Sequence, residues 1–266
     1  MKLGYLVDAP DARDFRFEEV AAGTYGAARR TPDLRDLRRG ILEQGDANSC
    51  VAFSLARAIH MSLVRDSLGS SAPEPEIPAP GFIYFNSRAQ ELIGRPPSMS
   101  PLPDRGSFPR LALKAVQTLG YVPWGSCPYD DKKLSVRPRM RLYTEAFDQK
   151  GLRYYRISGS GQDRLDQVER ALVLGYPVVF GMSIDIPFTK LGRAPADSLD
   201  SKKLLGGHMM CALAVDSSGV VVESWWGKDW GLGDGTGRIT ARLFGSDAVS
   251  DVYAIQAAPP FQEGSP

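Results

Sequence analysis

The rhythm of apolar positions changes halfway along the chain. From residue 50 to about 65, Ala52, Phe53, Ala56, Ile59 and Leu63 recur every three or four residues, which predicts a helix with one buried face. The polar run Asp46-Ala47-Asn48-Ser49 ahead of it offers capping side chains, so Cys50 falls in the first helical turn. Residues 81–93 read as a short helix between two proline-rich stretches, 70–80 and 95–109, neither of which can continue as helix or central strand. The amphipathic spacing returns over 109–119 and stops at Gly120. After one more helix, about 163–174 and closed by Gly175, the pattern becomes strand-like over 178–184, 209–215, 219–226, 237–242 and 251–256. Short or glycine-bearing connections between these runs suggest an antiparallel, barrel-like sheet. A helical half followed by a β half is an α+β arrangement with a cleft where the halves meet. Residues 1–30 are polar and aperiodic and read as a leader draped over the rest; no repeat appears at 20–50 residue spacing.

Composition narrows the function. At 266 residues the chain makes one large or two small domains, and 43% hydrophobic with 24% charged residues excludes wholesale disorder and coiled coil. Its 27 glycines and 20 prolines point to long, turn-rich connections. A net charge of +1 is too small to hold nucleic acid or an anionic membrane by bulk attraction, so partners must be recognised by a site. The N-terminus turns acidic at Asp8 before any signal-like apolar stretch develops, and no run reaches the ~18 residues of a membrane span. A cytoplasmic protein is expected, with non-classical export left open. Three cysteines without paired metal-ligand spacing predict neither a disulfide framework nor a metal site.

A cysteine at a helix N-terminus meets the positive end of the helix dipole and unpaired backbone N–H groups, both of which favour thiolate. Cys50 is therefore either a nucleophile or a small core residue. Gln44, with Gly45 permitting a tight turn, could swing its amide back beside the sulfur and, with the Cys50 backbone N–H, stabilise an oxyanion. The chain has two histidines. His60 lies ten residues along the same helix, about 15 Å away and turned aside. By elimination a Cys/His pair means Cys50 with His208, one from each half.

The segment Gln44-Gly45-Asp46-Ala47-Asn48-Ser49-Cys50-Val51-Ala52-Phe53-Ser54 resembles the nucleophile motif of papain-like cysteine peptidases, usually QGxCGSCWAFS. Three further stretches are similar in the same order: Ala112 to Val116 with Gly120 and Pro128-Tyr129, then Gly207-His208 with its apolar strand, then Trp226-Gly227-Lys228-Asp229-Trp230-Gly231. The resemblance covers about residues 31–256 and suggests the short-leader type of member. It implies a two-lobed fold, a helical lobe over about 31–150 and a β lobe over about 151–256, with 257–266 as a tail. Two departures stand out. Ala47 replaces a structural cysteine, and Ser224 occupies the position of the asparagine that orients the histidine. Strand alternation puts Ser224 on the same face as Trp226 and Glu223 on the other, so Ser224 is the expected orienter and Glu223 could serve only through a bulge.

The activity implied is peptide hydrolysis through an acyl-enzyme, with Cys50 as nucleophile, His208 as acid and base, and Gln44 in the oxyanion site. A preformed pair should lower the thiol pKa to ~3 to 4 and give a bell-shaped pH profile. Carried over by position, the pocket for the second residue before the cleaved bond is walled by Phe108, Pro109, Gly181 and Met209. Ser107 offers backbone hydrogen bonds, Gly207 adjoins the histidine, Trp226 shields it and Trp230 flanks the leaving-group side or serves as a buried support. The apolar walls suggest a bulky aliphatic or aromatic side chain. The leader, too short for a helical pro-domain, is expected to cross the cleft in extended form and partly occlude it, as in a zymogen. Arg29, Arg30, Arg35, Arg38 and Arg39 could bind a small anion or form a solvated surface. Peptides or proteins are the expected partners, and no cofactor or metal is required. The rival readings are a non-catalytic papain-like binding protein and a Cys/His acyltransferase.

Overall fold

A computed structural model describes residues 2–21, 33–93 and 101–257. The first half is helical. After a short helix α1 (Phe17–Ala21) come α2 (Cys50–Ser67), α3 (Pro80–Gln90), α4 (Pro109–Leu119) and α5 (Met140–Phe147). Pro80 and Pro109 each stand at a helix start, where the missing N–H costs nothing. Helix α4 ends at Gly120 with φ 78°, and a side chain there would overlap the carbonyl of Ala146, so the turn between α4 and α5 depends on glycine. Helix α2 is buried on nearly all sides, as befits an element wedged between two halves.

The second half holds β1 (Leu152–Ile157), α6 (Gly161–Val173), β2 (Val178–Asp185), α7 (Ile186–Thr189), β3 (Leu204–Asp216), β4 (Gly219–Glu223), β5 (Thr236–Ile239), α8 (Ala241–Phe244) and β6 (Val249–Ala257). The six strands form one antiparallel sheet in the order β1-β6-β2-β3-β4-β5. The fold is thus α+β as expected, but the sheet is open rather than barrel-like: β1 and β5 are its two edges. The strand read over 237–242 breaks at Thr240, whose hydroxyl caps α8. The histidine strand begins at Leu204, earlier than the apolar run suggested, because Gly206 and Gly207 pair with Ile184 and Ser183 and, past a bulge at Leu205 of β3, Leu204 pairs with Asp185. One large apolar core joins α2 to the sheet, and a smaller cluster of Ala79, Phe82, Val122, Leu142 and Ala146 sits under α3 and α5.

The leader is not a free tail. Phe17 is fully buried, the Arg156 amide donates to the Phe15 carbonyl at 2.7 Å, and residues 4–6 lie along Ser107 and Gly207. Residues 22–32 and 258–266, with the first part of the second proline-rich stretch (95–100), fall outside the described residues.

Candidate active site

Cys50 opens α2, as its sequence position requires, but the expected capping does not occur. Ser49 precedes the helix without a side-chain cap; its hydroxyl meets the Tyr129 hydroxyl at 2.7 Å, and Asn48 is tied to Asp104. The helix N-terminus is left to the sulfur. Gly45 takes φ 60° and lets Gln44 fold back; its Nε2 donates to the Ala47 carbonyl at 2.6 Å and to the Lys2 carbonyl of the leader at 3.1 Å. The amides of Met209, Gly4, Val51 and Cys50 itself point at the sulfur. Met209 follows His208 on β3, so the histidine strand lies against the head of α2.

His208 is fully buried. Its Nε2 sits 3.0 Å from Ser224 Oγ, and its ring stacks on Trp226 with centroids 4.2 Å apart. Ser224 and Trp226 therefore share the histidine's face. Glu223 points the other way, into an ion-pair cluster with Arg57 at 2.9 Å and Arg38 at 2.9 Å, and is not available to the imidazole. Trp230 is buried; it packs edge-on against Trp226 and donates Nε1 to the Phe188 carbonyl at 3.1 Å, carrying Trp226 from behind. His60 bonds the Pro75 carbonyl through Nε2, away from this group.

The expectation of a thiol already lowered to ~3 to 4 fails for this state. Burial pushes the Cys50 thiol up to about 11, outweighing the amides that pull it down, and burial pushes His208 down to about 3. Neither ionises at neutral pH, and His208 Nδ1 is buried without a hydrogen-bond partner. The cause is burial: both side chains are shut away from water, Cys50 with the Gly4 amide of the leader beside it and His208 beneath Trp226.

The substrate-side residues gather around that leader. Ser107 gives its amide to the Gly4 carbonyl at 2.9 Å and takes the Leu6 amide at 3.1 Å, while the Gly207 carbonyl accepts the Tyr5 amide at 3.2 Å. The Tyr5 ring occupies the pocket: a side chain at Gly181 or Gly207 would overlap it. Pro109 and Met209 are buried, and Phe108 is half-buried at the start of α4. Sequence reasoning missed the pocket floor. Tyr5 Oη is 2.7 Å from Asp251 Oδ2 and 2.5 Å from Ser250 Oγ, both on β6, whose pairing puts Ser250 opposite Gly181. The signal available was an acidic residue opening an otherwise apolar strand, Asp251-Val252-Tyr253-Ala254-Ile255. Also missed was the clasp that fixes the leader. Asp8 accepts from the Arg110 amide at 3.0 Å and from Tyr253 Oη at 2.9 Å, and Asp14 pairs with Arg110 at 2.6 Å.

Of the five arginines considered for an anion, Arg29 and Arg30 lie outside the described residues. Arg35 pairs with Asp33, Arg38 with Glu223 and Arg39 with Glu74, so each described member already has a carboxylate. Among the described residues no helix is long and apolar enough to cross a membrane, and Cys50, Cys127 and Cys211 are free thiols.

No family model matches the chain. An uncharacterized peptidase C1-like protein of Acanthamoeba polyphaga mimivirus is 27% identical over 95% of this chain and 86% of that one. Among solved structures, xylellain, a cysteine protease from Xylella fastidiosa, superposes with a TM-score of 0.79 at 26% identity, covering 96% of both chains. Procathepsin B S9 from Trypanosoma congolense gives 0.67 at 14% identity over 97% of this chain and 86% of that one, a likeness of fold. At 26% identity xylellain is a relative and a separate protein. Fold and motif order agree with these relatives: the chain has the papain-like fold and is similar over nearly its whole length to cysteine peptidases.

Proposed function

We propose that the chain is an endopeptidase that works through Cys50 and His208, with Gln44 and the Cys50 amide as the oxyanion site, Ser224 as the orienter, and the leader as an internal cover over the cleft. The observation that carries this reading is that Gln44 already binds a peptide carbonyl, that of Lys2, beside the sulfur at the head of α2. One Gln44 N–H is spent on Ala47 and holds the amide in place; the other is released to a substrate when the leader withdraws.

In the uncovered site Cys50 Sγ, as thiolate, attacks the carbonyl carbon of an extended peptide paired to Ser107 and Gly207. The carbonyl π electrons move to oxygen, where Gln44 Nε2 and the Cys50 N–H stabilise the charge. Collapse breaks the C–N bond, and the His208 imidazolium gives its proton to the departing amine. Water then attacks the thioester while His208 takes its proton, and C–S cleavage returns the thiolate. Ser224, held at Nε2, keeps the opposite ring nitrogen directed at the sulfur.

The test is labelling with a peptidyl epoxide, read by peptide mass. Stoichiometric modification at Cys50, faster in full-length Tyr5→Ala than in the native chain and lost in His208→Ala, supports the reading. Labelling at Cys127, or labelling indifferent to His208, refutes it. Product analysis with an added amine acceptor separates hydrolysis from acyl transfer.

A further inference from the structure

The leader's fifth residue reveals more about the pocket than its apolar walls do. Pocket walls made of Gly181 and Gly207 leave room for a flat ring and would suit phenylalanine or leucine as well as tyrosine. The floor is different. Asp251 is 2% exposed, and its Oδ2 receives two leader groups, Tyr5 Oη at 2.7 Å and the Asp8 amide at 2.8 Å, while Oδ1 receives Arg156 at 3.0 Å. Ser250 Oγ meets the same phenol at 2.5 Å. Asp251 is, among the described residues, the non-glycine residue with positive φ, at 48°. An Asp accepts that conformation more readily than most residues, yet it remains an uncommon one, and here it aims a buried carboxylate at the end of an aromatic slot.

Withdrawing the leader removes both leader donors at once and leaves Oδ2 facing an apolar pocket. A buried acceptor without a donor is costly, and a charged one more so. The substrate side chain that restores the balance carries a donor at its tip. Arginine and lysine carry donors, but Arg156 already lies on the other oxygen of Asp251 and bonds Tyr253 Oη at 2.9 Å, so a second cation at the floor meets like charge. A neutral donor on a ring of the size already accommodated meets neither penalty.

Building on the peptidase reading, we propose that the pocket selects tyrosine as the second residue before the cleaved bond, and that Asp251, assisted by Ser250, is the specificity-determining residue that reads the phenolic hydroxyl. The leader then inhibits by presenting to the floor the same group that substrates present.

The measurement compares fluorogenic peptides identical except for Tyr, Phe, Leu or Arg at that position, using full-length Tyr5→Ala protein. The fraction of molecules with the leader displaced is common to all four and cancels from the ratios of kcat/KM. The expected result is tyrosine over phenylalanine by about tenfold or more, since a site built to bond a hydroxyl rejects the analogue lacking it. Asp251→Asn, an amide that also tolerates positive φ, should lower that ratio severalfold, and Ser250→Ala should lower it less. In the otherwise native chain Tyr5→Phe should raise turnover of every substrate by loosening the leader. Cleavage of all four peptides with phenylalanine equal to or better than tyrosine overturns the inference and leaves the peptidase reading intact. Cleavage of none overturns both.

Discussion

The leader's hold should weaken as pH rises through about 6, because one of its anchors is a carboxyl that resists ionisation. Asp8 is 7% exposed; burial, and then the neighbouring Asp251 carboxylate, push it up to about 6, while bonds from Tyr253 and Arg110 pull only partly the other way. In a withdrawn leader Asp8 returns to about 3.9. The raised pKa belongs to the bound state, so that state holds the extra proton. Its advantage is full below about 3.9 and is lost as pH rises through about 6. Two pK units correspond to about 3 kcal/mol, or about a hundredfold in the opening equilibrium once both limits are passed.

Asp8→Asn supplies the reference, because asparagine can accept from Tyr253 and the Arg110 amide but cannot ionise. Cys50 labelling by a peptidyl epoxide is measured on native and Asp8→Asn full-length chains at pH 4.5 and 7.5. The chemistry of Cys50 and His208 is common to both proteins and cancels in the ratio of rates. With values of 3.9 and 6 the native-to-variant ratio rises about 25-fold between those two pH values, since part of the effect is already expressed at 4.5. A ratio that stays flat, or falls, refutes the argument and with it the placing of Asp8 against Asp251 in the latent state.

Three other substitutions separate roles within the site. Ser224→Ala removes the partner of His208 Nε2 and should cost about tenfold in kcat with KM little changed, the value of one buried hydrogen bond of about 1.4 kcal/mol; equal kcat would deny Ser224 its orienting role. Glu223→Gln uncouples a carboxylate that is fully buried with Arg57 and should lower thermal stability by about 3 kcal/mol while kcat of the folded protein holds, as thermal melts and active-site titration would show. Gly181→Ala puts a methyl where the Tyr5 ring lies, so Cys50 should react faster with iodoacetamide and preference should move toward smaller side chains; slower labelling would contradict the position of Tyr5 in the pocket.

How much of this was legible in the sequence depends on the range of the interaction involved. The helix headed by Cys50, the glycine stops at Gly120 and Gly175 and the opposite facing of Ser224 and Glu223 follow from local pattern, and they match the structure closely. Gln44 was placed by a single glycine that permits its turn. Closure of the sheet was not legible: each strand announces itself through apolar alternation, but whether β5 meets β1 depends on twist and on how far the chain travels. Helix α5 and strand β1 were missed, α5 because only Leu142 and Ala146 bury a narrow stripe, β1 because four of its six residues are charged or tyrosine. The pocket floor depends on pairing between β2 and β6, nearly seventy positions apart in sequence, and on a backbone angle at Asp251 that no residue pattern encodes.

On the proposed reading, the leader silences the Cys50/His208 pair without a proton being gained or lost. Beneath the leader, thiol and imidazole are both neutral at pH 7, together holding one titratable proton. An exposed thiolate–imidazolium pair holds one as well, merely moved from sulfur to nitrogen. Opening therefore exchanges no proton at the catalytic centre between about pH 4, where an exposed thiolate would begin to protonate, and about pH 8, where an exposed imidazolium would begin to lose its proton. Water is what changes: its return stabilises both charges together, so the nucleophile and its acid are restored in one step rather than titrated separately. On that reading the pH dependence of latency across this window belongs to the clasp, and chiefly to Asp8, so a substitution on the leader far from the sulfur should change when the site opens without changing how it cuts.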